Sequence, residues 1–180
     1  MKPPSDELIS QFIEGFYGYG NPRARWWFVG QEEGGAGSMS ELRAHLEAWR
    51  DRGRKDLEDL EALQRSKGVT KYFGRSPTFH PYWGRLARVL MCARGEPVTR
   101  EAVLKVQGLE LGRTDSETAL VELLPLPKPN RESWDYSRFS GLAHLKDPDR
   151  YMEEVAVWRA EALRARIQAA EPEAVFFCST

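Results

Sequence analysis

The residues Trp26 to Gly35 read WWFVGQEEGG and set a carboxamide, two carboxylates and three glycines directly behind an apolar run. A carboxylate held at such a place can orient and activate a water, or stabilise a cationic sugar, the two tasks that cleavage of a glycosidic bond demands. Gly30, Gly34 and Gly35 let the backbone turn sharply and come close to a ligand. No Lys-Ser/Thr pair follows the glycines, so the segment is not a phosphate-binding P-loop, and it lacks the dinucleotide fingerprint as well. The plain alternative is a surface turn carrying two solvated glutamates.

Such residues need a frame. Trp26 to Val29 is too short and too aromatic for a helix and reads as a buried strand. Thr118 to Leu124, TALVELL, is a second strand, closed by the prolines of PLPKPN, and AVFFC from Ala174 to Cys178 is a third. Between them lie helices. Ser5 caps one with Leu8, Ile9, Phe12 and Phe16 on one face; Leu42, Leu46 and Trp49, then Leu57, Leu60 and Leu63, mark two more or one kinked at Gly53. Trp83 to Leu90 and Met152 to Ile167 supply the rest, the last ended by Pro172. Strands alternating with helices predict an α/β fold, a three-layer α/β/α sandwich around a short, mainly parallel sheet, as one domain over residues 1–180. In such a sheet ligands gather at the carboxyl ends of the strands, where Gln31, Glu32 and Glu33 fall.

The formal net charge of −1 excludes a globally basic nucleic-acid binder, so contact with a polyanion requires a local patch. Lys128, Asn130, Arg131 and Arg138 after the second strand form the best one, and a solvated loop explains them nearly as well. The Glu41–Lys67 stretch carries equal numbers of acids and bases and reads as a solvated helical face, with His45 exposed on it. His80 and His144 read as loop histidines, and the tryptophans as packing. Cys92 and Cys178 read as reduced, buried thiols, without metal-site spacing. The first residues, MKPPSDELIS, have no apolar leader and no run is long enough for a bilayer, which points to a cytoplasmic protein, expected to be monomeric. The abundance of Arg, Ala and Glu over Lys suggests a GC-rich bacterial source.

FVGQEEGG resembles the first motif of the uracil-DNA glycosylase superfamily, in which a strand of the form F-V-G leads into G-Q-D-P-Y or G-E-A-P-G. SPTFHPYWGRLARVL, from Ser76 to Leu90, looks like that family's Pro/Ser loop and following helix. LVELLPLPKPN resembles its second strand and Pro-rich loop, and EPEAVFFCST its third strand. The order holds over most of the chain, while each motif alone is loose. The resemblance implies a DNA-repair hydrolase that flips a base out of DNA, single-stranded DNA included, and hydrolyses its N-glycosidic bond without a cofactor or metal. By position it implies Glu32 as the catalytic, water-positioning carboxylate. Gly30, Gln31, Glu33, Tyr72, Phe73 and Glu122 would contact the base, with Tyr72 or Phe73 stacking on it. Ser76, Pro77, Lys128, Asn130 and Arg131 would lie along DNA phosphates.

Three departures shape the expectation. Glu32 and Glu33 stand where the family has Asp or Ala followed by Pro, and Glu122 stands where it has an Asn. The family's final strand and its H-P-S motif are missing from these 180 residues, which implies an incomplete domain or site. An ionised Glu122 only accepts hydrogen bonds, so either it pairs with an arginine or it lines the pocket with an altered base preference. A nearby Glu32 or Glu33 would push one carboxyl toward its protonated form and restore a donor. Two other classes stay open: an inactive nucleic-acid or nucleotide-binding module of the same fold, and a small-molecule hydrolase using Glu32 and Glu33 in acid-base roles or to hold Mg²⁺.

Overall fold

The computed structural model describes residues 3–35, 37–128 and 134–178. Its longer helices begin where the chain offers a side-chain acceptor to the free amides of the first turn. Ser5 caps α1 (Asp6–Gly15), Ser38 caps α2 (Met39–Asp51) and Asp59 caps α3 (Leu60–Ser66). His80 caps α4 (Pro81–Ala93), Thr99 caps α5 (Arg100–Leu109) and Asp147 caps α7 (Pro148–Ala170). Between α5 and α7 lies the single turn α6 (Tyr136–Phe139). Gly53, at φ 95°, closes α2, so the charged stretch forms two helices.

The sheet has five strands, β1 (Gly18–Gly20), β2 (Trp26–Gly34), β3 (Leu57–Glu58), β4 (Thr118–Lys128) and β5 (Ala174–Cys178), in the order β3-β1-β4-β2-β5. β2, between β4 and β5, runs parallel to both, as the sequence predicts for those three. The outer pair differs: β1 is antiparallel to β4 and parallel to β3, which makes the sheet mixed. β1 escapes a sequence reading because two of its three residues are glycines. Both have positive φ, and a Cβ on Gly18 or Gly20 would sit 2.1 Å from the Leu120 carbonyl oxygen or 2.2 Å from that of Thr118. These glycines admit a close backbone neighbour where glycine would ordinarily signal a break.

Successive β2 side chains alternate between two cores. Trp26 and Phe28, with Leu120 and Leu124 of β4, face the larger one, filled by Phe12, Leu46, Trp49, Leu63 and Leu90 from α1 to α4. Trp27 and Val29, with Ala119 and Val121, face the smaller one, covered by Leu163 of α7. Helices therefore pack on both faces. Arg159 of α7 is fully buried at their junction, donating to the carbonyl oxygens of Leu123 (2.5 Å), Phe16 (2.9 Å), Glu122 (3.0 Å) and Ile13 while stacking over Tyr17. Trp158 departs from the packing assignment, at 37% exposed, and Cys92 is exposed; both cysteines are free. No helix among the described residues is long and apolar enough to cross a membrane.

Candidate functional site

The polar segment after Val29 and the proline-rich segment after Leu124 leave the sheet side by side. Both were expected to be loops, and both are strand: β2 continues through Gly34 and β4 through Lys128. Pro125 and Pro127 have no N–H to give a ladder, and the pairing shifts where they fall, from Glu32 opposite Leu124 to Gly34 opposite Lys128. Lys128 thereby comes alongside Glu32, with Nζ 2.9 Å from Oε2.

Gly30 does not turn the chain; it pairs with Glu122 across the ladder. Its missing side chain makes room for the Glu122 carboxyl, since a Cβ at Gly30 would lie 2.0 Å from Glu122 Oε2. Glu122 is buried, and its Oε2 has no hydrogen-bond partner. Arg159 binds the main-chain oxygen of Glu122, not its carboxylate. Burial, reinforced by the charges of Glu33 and then Glu32, pushes the Glu122 carboxyl well above the usual range and so favours its protonated form. A protonated carboxyl offers one donor and one acceptor.

The register shift also turns Glu33 into the larger core. Tyr19 donates its hydroxyl proton to Glu33 Oε1, and His45 Nε2 lies 3.5 Å from Glu33 Oε2. His45 is buried, contrary to the exposed position expected for it, with its ring edge-on to Phe12 and Phe16. It shares the helical stripe of Leu42, Leu46 and Trp49, which is the signal that could have placed it inside. Lys67 Nζ sits 2.7 Å from His45 Nδ1. Burial pushes the Glu33 carboxyl up to about 7, with Lys67 and the Tyr19 hydrogen bond holding it down against a larger rise. Burial and then Lys67 hold His45 well below the usual imidazole range, so its ring is neutral.

The remaining expected residues scatter. Gln31 is exposed on the opposite face, lining an apolar groove of about 560 Å³ between β5 and α7. Phe73 is core, 6% exposed and packed on Trp83. Tyr72 is half-buried, edge-on to Trp83 and His80, beneath the Lys71 ammonium. Ser76 is exposed, while Pro77 is buried and its ring lies close to Gly108. Buried Gln107 clamps this loop, accepting from His80 N (2.9 Å) and donating to the carbonyl oxygens of Thr78 (2.9 Å) and Tyr72 (3.2 Å). His80 is a helix cap, accepting from Trp83 N, and not a free loop imidazole. Asn130 and Arg131 lie outside the described residues.

Tyr19, His45, Lys67 and Tyr82 belong to the site's surroundings although the sequence did not single them out. Tyr82, half-buried on α4, is held up by burial and then by the neighbouring charges of Glu122 and Cys178. Glu32 and Glu33 turn to different partners, and no cluster of three or more His, Cys, Asp or Glu side chains suited to a metal occurs among the described residues. The arrangement is a pair of buried, partly unsatisfied carboxyls beside an ion-paired one on adjacent parallel strands, with Glu32 and Glu33 near the carboxyl end of β2 and Glu122 midway along β4. No family model matches the chain, and no curated protein or solved structure matches it.

Proposed function

We propose that the chain recognises a planar nucleobase in DNA at the carboxyl ends of β2 and β4 and hydrolyses its N-glycosidic bond, as the resemblance to the uracil-DNA glycosylase superfamily implies. One observation carries this reading: the Glu122 carboxyl lies over Gly30, within electrostatic reach of Glu33 and Glu32, and keeps a buried oxygen without a hydrogen-bond partner. Buried polar atoms of that kind are costly unless something outside the fold completes them. The donor and acceptor of a neutral Glu122 match the N–H and C=O of a lactam edge on a heterocycle. The strand order adds support, with β2 central between parallel β4 and β5, an arrangement in which ligands collect at the carboxyl ends.

In this reading Glu32 orients a water toward the anomeric carbon. The new C–O bond forms as the C–N bond breaks, the electron pair leaves with the base, and the water's proton passes to Glu32. The Glu122 hydroxyl supports negative charge developing on the departing base. The test is release of abasic product from oligonucleotides carrying single lactam-type or amino-type bases, compared with Glu32→Gln. Product from a lactam substrate that falls about 10²–10⁴-fold in Glu32→Gln supports the reading. Equal rates in the two proteins remove Glu32 as catalyst. Base-dependent binding without product leaves a recognition module, and neither product nor base-dependent binding rejects the proposal.

A further inference from the structure

The contacts behind Glu33 form an ordered chain. A lysine ammonium only donates, so the 2.7 Å contact makes His45 Nδ1 the acceptor from Lys67. A neutral imidazole accepting at Nδ1 carries its proton on Nε2. That N–H faces Glu33 Oε2 at 3.5 Å, and neither atom has another hydrogen-bond partner. The donor and the acceptor are each other's available complement, so a movement of a few tenths of an ångström completes a hydrogen bond. Tyr19 already holds the second Glu33 oxygen. Glu33 is therefore approached by donors on both oxygens, whereas Glu122 Oε2 receives none.

We propose that Lys67 and His45 are positioning residues that decide which of the two buried carboxyls gives up its proton first, Glu33 ionising while Glu122 stays the neutral acid. Through that choice they set the hydrogen-bonding pattern Glu122 shows to a ligand. The inference deepens the nucleobase reading and rests on it for the identity of the ligand, not for the proton arrangement itself. An anionic Glu33 repels a second negative charge on Glu122, so the two groups titrate as a coupled set. The groups facing Glu33 are Tyr19 from β1, His45 from α2, Lys67 beyond α3, Glu122 from β4 and Tyr136 from α6. Those facing Glu122 are Glu32 and Glu33 from β2, Arg159 from α7, Tyr82 from α4, Cys178 from β5 and Tyr19. Lys67 is the cation that acts on Glu33, and Arg159 is only the last and smallest influence on Glu122. Removal of the Lys67 charge takes away the anion's main support.

The experiment follows carboxyl and imidazole protonation directly, in ligand-free protein. Carbon-13 labelled glutamate is titrated by NMR in wild type, Lys67→Met, Lys67→Arg, Glu33→Gln and Glu122→Gln, the last two assigning the signals. Nitrogen-15 shifts report the His45 tautomer. The expected result is an Nε2–H tautomer for His45 in wild type, and a Glu33 midpoint that rises by about one pH unit or more in Lys67→Met. Glu122 should ionise more readily in Lys67→Met, since its neighbour is now neutral, and Lys67→Arg should restore both. Melting curves confirm that the variants fold. Midpoints unmoved in folded Lys67→Met, or an Nδ1–H tautomer, overturn the proposal whatever the protein binds. Shifted midpoints together with no nucleobase binding by wild type retire the nucleobase reading and leave the proton arrangement standing.

Discussion

Replacement of Gly30 by alanine tests the spatial core of the site. The added Cβ would fall 2.0 Å from Glu122 Oε2 and 2.6 Å from Cδ, where ordinary contact begins near 3.4 Å, so the carboxyl must retreat by more than an ångström. The carboxyl is an end group, but it is buried and repelled by the charges of Glu33 and Glu32, which resist its displacement. Overpacking of this kind costs about 1–3 kcal/mol. For a chain of this size that lowers Tm by roughly 2–12 °C. In a Glu122→Ala background the same Cβ meets vacated space. Alanine is better than glycine in a strand by about 0.5–1 kcal/mol, so Gly30→Ala should there be neutral or stabilising. The four proteins form a double-mutant cycle, read by urea midpoints at constant m, with an expected coupling of roughly 1–4 kcal/mol. Equal cost of Gly30→Ala in both backgrounds would refute the claim that Gly30 exists to seat Glu122.

Glu33 gives a pH signature. Its folded-state carboxyl is raised to about 7 from an ordinary 4.5, so between those values the native protein binds more protons than the unfolded chain, and stability falls as pH rises. The loss between pH 4 and pH 8 is about 3 kcal/mol for this one group. Subtracting the Glu33→Gln profile from that of wild type should isolate this decline, and parallel profiles would refute it. Arg159→Met leaves the carbonyl oxygens of Ile13, Phe16, Glu122 and Leu123 without their shared donor, and should cost about 3–5 kcal/mol. A melting point within a degree or two of wild type would show that the buried guanidinium does not tie α7 to α1 and β4.

The sequence disclosed the parts of the fold that advertise themselves locally. β2, β4 and β5 are apolar runs, and Ser5 begins a helix with its apolar residues on one face. What it hid depends on partners distant in the chain. β1 looks like a break until the carbonyl oxygens of Thr118 and Leu120 are placed against Gly18 and Gly20. Helix α5 hid because two of its four buried positions are Gln107 and Gly108, and the partners of Gln107 lie 27 to 35 residues away. Glu32 and Glu33 were legible as unusual residues behind an apolar run, and Glu122 as an acid inside one. Their neighbours were not, because Glu33 reaches Tyr19 and His45 only through a register shift that arises at Pro125 and Pro127, on another strand.

Glu122 serves the fold and the site through different atoms. Its carbonyl oxygen accepts from Arg159 and its amide donates to the Tyr17 oxygen, so the main chain is fastened on the side away from β2. The carboxyl extends the other way, over Gly30, where nothing among the described residues donates to Oε2. A guanidinium only a few ångströms differently placed would have formed a fork with that carboxyl, fixing it as an anion and filling its acceptor sites. Binding the carbonyl instead keeps a cation in the neighbourhood without spending the acid's hydrogen bonds. The cost of an unsatisfied buried carboxyl is on the order of 1–3 kcal/mol, and a domain secured elsewhere by four bonds from Arg159 can sustain it. Selection for stability alone would favour leucine at position 122 with a larger residue at position 30. A glycine paired with an acid is what the proposed ligand site asks of the fold at these two positions.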